Sequence, residues 1–263
     1  MHPEPEARDA VRFFHLSTLR LIKEMTQYLN FDVLESIDTG QYRAQKPYPW
    51  ISRDNIFTDE GYRALRQNMP DISLFEQSIG YRRVAGQAPH DRYSLEYRED
   101  VQVPEPWQAF IAELRSDRYR DEIARLFDAN NPEFRFHWHY APSGCSVSPH
   151  CDSKREHGSQ LFYFNTEEDW DPAWGGETLV LDDGGRMKPD SSPAFEDFDR
   201  IIACPSMGNV SSILARGEHG WHGVKEITCP EGRMRMIFIV VVNPGNIYWK
   251  VRDKLIGKSI QRF

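Results

Sequence analysis

The stretch SPHCDSKREHG, residues 148–158, places histidine, cysteine and aspartate side by side. His150 and Asp152 are separated by one residue, so in an extended segment their side chains project to the same side. Both residue types bind metals in proteins. A His-x-Asp pair alone is more often an ordinary polar turn, because His and Asp are common on protein surfaces. The pair indicates a metal site only if a further ligand joins it.

The sequence GWHGVKEI offers that further ligand, His222, at the start of a short strand-like run. Two imidazoles and one carboxylate on one face of a metal leave coordination positions open, which suits non-haem Fe(II). A structural zinc site would usually have four protein ligands. The alternative is that His150 and Asp152 belong to a turn and that His222 caps a strand.

The residues around these candidates have the pattern of short β-strands. In FRFHWHYA, residues 134–141, aromatic side chains alternate with Arg135, His137 and His139, a period of two. Further strand-like runs are QLFYFN, ETLVLDD, VSSILA, HGVKEIT and RMRMIFIVVV, separated by Pro-Ser-Gly, Gly-Gly and Glu-Gly turns. This pattern predicts an antiparallel sandwich or barrel. The mixed, acidic segment 183–205 is interpreted as an insertion loop near one mouth of that barrel.

Helical periodicity is confined to the first half of the chain. The predicted helices cover residues 11–29, a segment that starts after Thr58 and stops before Pro70, a segment that starts near Pro104, and residues 119–127. We expect residues 1–130 to form a helical supporting region packed on a β core of residues 131–263, in one compact domain.

Composition narrows the class of protein. The chain is 40% hydrophobic and 13% aromatic, which is typical of an ordered globular protein, and its net charge of −8 argues against nucleic acid as a partner. The four cysteines show no disulfide-like spacing, and the longest apolar run, residues 236–242, is too short to cross a bilayer. The charged, proline-bearing N-terminus is unlike a secretory signal. We therefore expect a reduced, cytoplasmic protein without a membrane partner.

Taken together, these features resemble the prolyl-4-hydroxylase-like group of Fe(II)/2-oxoglutarate-dependent oxygenases, over about residues 134–244. The resemblance rests on His150-x-Asp152 with distal His222, on FYFN followed by Trp170 and WGGETLVL, on Tyr140 ten residues before His150, and on an arginine in the last strand. It implies a mainly β fold with flanking helices, the double-stranded β-helix (a jelly roll, or cupin-like barrel), supported by the N-terminal helices.

The resemblance also implies roles for individual residues. His150, Asp152 and His222 would hold Fe(II), and an arginine would bind the far carboxylate of 2-oxoglutarate through two parallel hydrogen bonds. Arg235 is favoured for that arginine because it lies about one strand length before a terminal Asn-Pro, although a large residue follows it two positions later. Arg233, two residues earlier, therefore stays open as the alternative.

Two tyrosines and several histidines are weaker candidates. Tyr163 occupies the place in FYFN where the family's strand often supplies a phenol to the same carboxylate, and Tyr140 could also reach the cosubstrate; the alternative for both is a core aromatic residue. Positions on a strand surface or in a loop are favoured over the substrate mouth for His137, His139, His157 and His219. Cys151 is expected to point away from the metal.

The expected activity is that of an Fe(II)- and 2-oxoglutarate-dependent dioxygenase with ascorbate as reductant. It would use molecular oxygen to hydroxylate an unactivated C–H bond of a small-molecule or peptide substrate, such as a prolyl or other amino-acid residue. Asp152 favours hydroxylation, because the halogenating relatives lack this carboxylate. The alternatives are a cupin-type iron dioxygenase that does not use 2-oxoglutarate, and a non-catalytic jelly-roll binding module. Arg82-Arg83 and the stretch HDRYSLEYR, residues 90–98, could recognise an acidic group or be exposed charges.

Overall fold

The computed structural model of the protein describes residues 27–80 and 90–245. These residues form a mainly β structure with two antiparallel sheets and a few short helices, which is the predicted jelly roll. The helix predicted over residues 11–29 falls almost entirely outside the described residues, and so does the Arg82-Arg83 pair.

Two sheets contain the strands of the described residues. The strands are β1 Trp50–Asp54, β2 Glu76–Ser78, β3 Arg92–Glu96, β4 Glu133–Ala141, β5 Val147–His150, β6 Gly158–Tyr163, β7 Leu179–Asp182, β8 Arg200–Ala203, β9 Val210–Ala215, β10 His222–Val224 and β11 Arg235–Asn243. The major sheet has the order β1-β9-β6-β11-β4-β3-β2, and the minor sheet has the order β5-β10-β7-β8. Each strand predicted after residue 131 is present, with ends shifted by a few residues.

The centre of the major sheet consists of β4, β11 and β6, whose register defines two kinds of cross-strand row. Trp138 pairs with Phe238, which pairs with Phe162. One position along, a second row runs across the same three strands through His139, Ile237 and Tyr163. Because successive side chains in a strand point to opposite faces, the first row faces the helices and the second faces the barrel interior.

Five α-helices accompany the sheets in the described residues. They are α1 Phe31–Glu35, α2 Thr39–Ala44, α3 Asp59–Gln67, α4 Glu105–Leu114 and α5 Asp117–Phe127. Thr58 caps α3 by accepting a hydrogen bond from the backbone N–H of Gly61, and α4 follows Pro104, so these predicted helix starts are confirmed. None of the described helices is both long enough and apolar enough to traverse a lipid bilayer.

The main core lies between α4 and the outer face of the major sheet. The ring of Trp107 lies 5.2 Å from that of Trp138 and 5.0 Å from that of Phe238, and the ring of Phe110 lies 5.7 Å from that of Phe162. All five side chains are fully buried. At roughly 1.5–3 kcal/mol for each large apolar side chain removed from water, this contact fixes the helices to the sheet.

Two parts of the sequence interpretation need correction. The region before residue 130 is not only helical, because it adds β1, β2 and β3 to the major sheet. The segment 183–205 is not simply a loop, because it contains β8, which pairs with β7 to form a hairpin. Both β1 and β8 are edge strands whose side chains are mostly half-buried or exposed, so their sequences lack the apolar run that marks a central strand.

Candidate metal centre and adjoining cavity

His150 ends β5 and His222 begins β10, and the two residues are paired in the antiparallel ladder. Their ring centroids are 4.3 Å apart. Asp152, two residues beyond β5, has its Oδ1 3.4 Å from Nε2 of His222 and 3.9 Å from Nε2 of His150. The three potential ligand atoms all lie within 4.8 Å of one another. The structure therefore brings together the three side chains that the sequence singled out.

The outer nitrogen of each imidazole is held by the backbone. Nδ1 of His150 is 3.0 Å from the carbonyl oxygen of Ser148, and Nδ1 of His222 is 3.1 Å from that of Gly220. Since a carbonyl can only accept, Nδ1 of each ring carries the proton and Nε2 keeps its lone pair. This backbone support is the arrangement that usually orients metal-ligating histidines.

The electrostatics of His222 also reflect the neighbouring carboxylate. Burial alone would lower the pKa of His222, but the negative charge of Asp152 and a hydrogen bond to it outweigh burial and raise that pKa. The Asp152 carboxylate therefore makes the site attractive to positive charge, as a metal-binding site requires.

These residues open into a cavity between the two sheets with a volume of about 110 Å³. At roughly 10–15 Å³ for each water position, this is space for a small molecule. The side chains with polar groups that line it are His90, Arg92, His137, His139, His150, Asp152, Glu156, Ser159, Thr178, His222 and Arg235. Aliphatic side chains of β11 form much of the remaining wall.

Arg235 begins β11 and is buried in the cavity wall. Its Nε donates to the carbonyl oxygen of Gly176, and one terminal nitrogen donates to Oγ1 of Thr178 at 3.0 Å. Gly176 has φ +93°, and a Cβ there would come within 3.1 Å of the Arg235 side chain. The second glycine of WGGE is therefore needed both for its backbone conformation and for the close approach of the guanidinium.

Arg233 and Arg235 occupy different environments, although they are two residues apart. Arg233 is exposed and precedes β11 in a turn, and it does not line the cavity. The two environments differ because the strand begins only at Arg235, so the alternation of a strand does not extend back to Arg233. Of the two candidates that the sequence left open, the structure places Arg235 in the cavity and Arg233 outside it.

The two candidate tyrosines also differ. Tyr163 is fully buried on the barrel side, and its hydroxyl donates to Oγ1 of Thr178 at 2.9 Å and lies 3.3 Å from Oγ of Ser212. Tyr140 lies on the opposite face of the sheet, where its hydroxyl donates to the carbonyl oxygen of Pro70 at 2.9 Å. Tyr140 does not line the cavity, because strand alternation directs it to the helical core.

The histidines of β4 are more central than the sequence suggested. His137 and His139 line the cavity, whereas His157 and His219 do not. Burial, together with positive charges that include Arg92, lowers the pKa of both cavity histidines, that of His137 to about 3. Both imidazoles are therefore neutral near pH 7. The signal was present in FRFHWHYA, whose polar residues alternate with the aromatic ones, but the pattern does not reveal which face encloses a cavity.

Three further residues near the site have defined surroundings. Glu156 is buried and forms an ion pair of 3.0 Å with Arg135, and burial followed by the charge of Asp152 raises the pKa of Glu156 to about 7. Cys151 does not line the cavity and packs beside the buried ring of Trp221. Its thiol lies 3.7 Å from the carbonyl oxygen of Glu218.

Comparison with solved structures identifies the class of proteins that share this fold. No family model matches the chain, and no curated protein matches it. Among solved structures, the chain has the fold of the prolyl-4-hydroxylase-like 2-oxoglutarate-dependent oxygenases. A Pseudomonas putida prolyl-4-hydroxylase aligns with a TM-score of 0.54 and 16% identity, over 78% of this chain and 98% of that chain.

Two other structures show the breadth of the class. A prolyl hydroxylase from Trichoplax adhaerens, in complex with a peptide of the hypoxia inducible factor oxygen degradation domain, aligns with a TM-score of 0.54 and 10% identity over 94% of this chain and 97% of that chain. SnoK, a non-haem alpha-ketoglutarate-dependent carbocyclase from nogalamycin biosynthesis, aligns with a TM-score of 0.54 and 12% identity over 81% of this chain and 87% of that chain. The likeness confirms the fold that the sequence resemblance implied.

Proposed function

We propose that this protein is an Fe(II)- and 2-oxoglutarate-dependent dioxygenase that hydroxylates an unactivated C–H bond, with molecular oxygen as oxidant and ascorbate as reductant. The observation that carries the proposal is that His150, Asp152 and His222 converge in a cavity that also contains the buried guanidinium of Arg235. A binding module would need only the metal ligands, and an iron dioxygenase without 2-oxoglutarate would not need the arginine.

The donor set fits ferrous iron. Two imidazoles present Nε2, each held in the required tautomer by a backbone carbonyl, and one carboxylate completes the face. This two-histidine, one-carboxylate set is typical of non-haem Fe(II) oxygenases, which need open positions for other ligands. When bound, the iron and 2-oxoglutarate supply the oxidising chemistry. The role of His150, Asp152 and His222 is to hold the metal on one side and leave the cavity side open.

Arg235 is proposed to bind the far carboxylate of 2-oxoglutarate. A guanidinium stays charged when buried and presents donors in a planar fork that matches a carboxylate. Thr178 lies next to the Arg235 guanidinium, and its hydroxyl accepts hydrogen bonds from Arg235 and from Tyr163. Tyr163 therefore acts as a positioning residue for Thr178 rather than as a direct contact. The aliphatic side chains of Ile237 and Ile239 keep bulk water from the same region.

The substrate is proposed to be a prolyl or other amino-acid compound. Prolyl hydroxylases are among the proteins that share this fold, and so is a carbocyclase, so the fold alone does not define the substrate. The small cavity means that a larger substrate would have to present a single group to the metal.

The direct test is succinate formation from 2-oxoglutarate by purified protein supplied with Fe(II), ascorbate and oxygen. We expect slow turnover without added substrate, and a loss of at least 100-fold in His150→Ala and Asp152→Ala. No succinate from the wild-type protein would contradict the proposal. Iron binding without 2-oxoglutarate turnover would favour the cupin-type alternative, and a metal that binds without any reaction would favour the binding module.

The two arginines give a matched control for the cosubstrate site. Arg235→Gln removes a charged hydrogen-bond donor worth about 1.5–3 kcal/mol, so 2-oxoglutarate should bind roughly 10- to 100-fold more weakly. Arg233→Gln makes the same chemical change at an exposed position and should leave 2-oxoglutarate binding unchanged. The opposite pattern would overturn the assignment of Arg235.

A further inference from the structure

A second buried guanidinium lines the same cavity. Arg92, the first residue of β3, is 7% exposed and donates to the carbonyl oxygen of His90 at 3.0 Å. His90 in turn pairs with Val147 at the start of β5, and its ring centroid lies 4.3 Å from that of His150. Arg92 is thus connected through one neighbour, His90, to the strand that ends at His150.

Arg92 and Arg235 lie on opposite sides of β4. In the major sheet β3 flanks β4 on one side and β11 flanks it on the other, and His139 of β4 pairs with Ser94 and with Ile237. Arg235 is directed to Thr178 and Gly176 of the WGGET segment. The cavity therefore has two separate positively charged positions, and a cosubstrate with one far carboxylate requires only one of them.

Arg92 places a positive charge on a wall whose neighbouring histidines are neutral. His139 and His137 are uncharged near neutral pH, and the charge of Arg92 contributes to this by lowering the pKa of both. The carboxylates that line the cavity are Asp152, which belongs to the metal triad, and Glu156, which is paired with Arg135. Neutral imidazoles next to a permanent cation suit an anionic group that accepts hydrogen bonds at Arg92, and a cationic group would be repelled from that same position.

We propose that Arg92 binds a carboxylate of the substrate, and that the substrate is a small carboxylic acid such as a free amino acid. This acid is a substrate only if the proposed dioxygenase function is correct. The binding of a carboxylate at Arg92 does not depend on turnover. A free acid offers a carboxylate to Arg92, whereas a prolyl residue inside a peptide chain would have no carboxylate to offer. Arg92 then determines specificity by selecting acids over their neutral analogues.

The test compares acetate with acetamide, which have the same shape but differ in charge. Full-length protein is loaded with zinc, which supports no oxidation, and with saturating 2-oxoglutarate to occupy Arg235. Saturation-transfer NMR then measures binding of each methyl group. We expect at least fivefold more saturation of acetate than of acetamide in the wild type. We expect Arg92→Gln to lose at least fivefold of the acetate signal, and Arg92→Lys to keep part of it because the charge remains.

Controls separate this inference from folding and from the proposed function. Arg200→Gln, at an exposed arginine of β8, should leave the acetate signal unchanged. The thermal unfolding transition, compared with that of the wild type, reports whether the Arg92→Gln protein is folded. The inference is overturned if wild-type protein saturates acetate no more than acetamide, or if Arg92→Gln retains the wild-type signal. A lack of succinate formation would instead contradict the dioxygenase proposal and leave the acetate result valid.

Discussion

The two faces of the major sheet differ sharply in composition, although the same three strands build both. On the helix side, Trp138, Phe238 and Phe162 form a continuous aromatic row with no exposed surface. On the barrel side, the next row contains His139 and Tyr163 on either side of Ile237. One face therefore supplies close-packed apolar contact, and the other supplies polar groups around an open cavity.

This division shows how the fold separates stability from chemistry. A cavity with charged walls contributes little favourable burial, and a buried guanidinium such as Arg235 costs free energy unless it has partners. The aromatic face offsets this cost, because α4 and the sheet bury large rings against each other. Substitutions on the two faces should therefore have different effects, even at neighbouring positions in one strand.

The largest effect on stability is expected at Trp138. Its ring is fully buried against Trp107 and Phe238, so Trp138→Ala should lower the free energy of unfolding by about 3–5 kcal/mol, from lost burial and from the void left behind. His139→Ala, the next residue on the opposite face, should cost less than about a third of that, because His139 already borders a cavity. Denaturant unfolding measures both values, provided that the dependence of the unfolding free energy on denaturant concentration is the same in the two variants. Equal losses in the two variants would contradict the separation of the faces.

Much of this arrangement could be predicted from the sequence, because it depends on residues that are close together in the chain. The alternation in FRFHWHYA defines a strand whatever lies on either side, and Thr58 and Pro104 mark helix starts through their own chemistry. The pairing of β10 with β5 then brings His222 next to His150 and Asp152, which completes the three-ligand cluster. These features depend on residues that are adjacent or that have a recognisable spacing.

The features that the sequence did not predict depend on tertiary placement. The sequence left open whether HDRYSLEYR recognises an acidic group or carries exposed charges, and only the pairing of β3 with β4 shows that Arg92 faces the cavity. His137 and His139 looked like surface histidines because a period of two does not indicate which face is enclosed. For Tyr140 the sequence left a cosubstrate contact and a core position open, and the structure places it in the helical core.

The second predicted effect is the pH dependence of stability that arises from Glu156 on the cavity face. Burial, followed by the charge of Asp152, raises the pKa of Glu156 from its ordinary value of 4.5 to about 7. Between these two values the unfolded chain has released a proton that the folded protein still holds, so stability falls as pH rises through this window and becomes level above it. The pKa difference corresponds to a loss of up to about 3 kcal/mol.

Glu156→Gln should remove this component of the pH dependence. Unfolding of metal-free protein is measured between pH 4 and pH 8, and the quantity of interest is the difference between wild type and variant, since other groups titrate in both. We expect the wild-type protein to lose stability relative to the variant as the pH rises towards 7. Parallel curves would show that the Glu156 carboxyl titrates normally in the folded protein.

The smallest effect is expected for Tyr163→Phe, and it distinguishes positioning from direct contact. The Tyr163 hydroxyl donates to Thr178, whose own hydroxyl accepts from Arg235. Loss of one neutral hydrogen bond costs about 1 kcal/mol, so the KM for 2-oxoglutarate should rise about fivefold while kcat stays the same. Thr178→Val breaks the same chain one step closer to Arg235 and should raise KM at least as much, and Tyr163→Phe should add little in the double variant. A different result would make the phenol a direct cosubstrate contact. In that case Tyr163→Phe would weaken 2-oxoglutarate binding as strongly as Arg235→Gln, and the effect would be equally large in the Thr178→Val background. The cosubstrate would then be bound by two side chains, Tyr163 and Arg235, instead of by Arg235 alone.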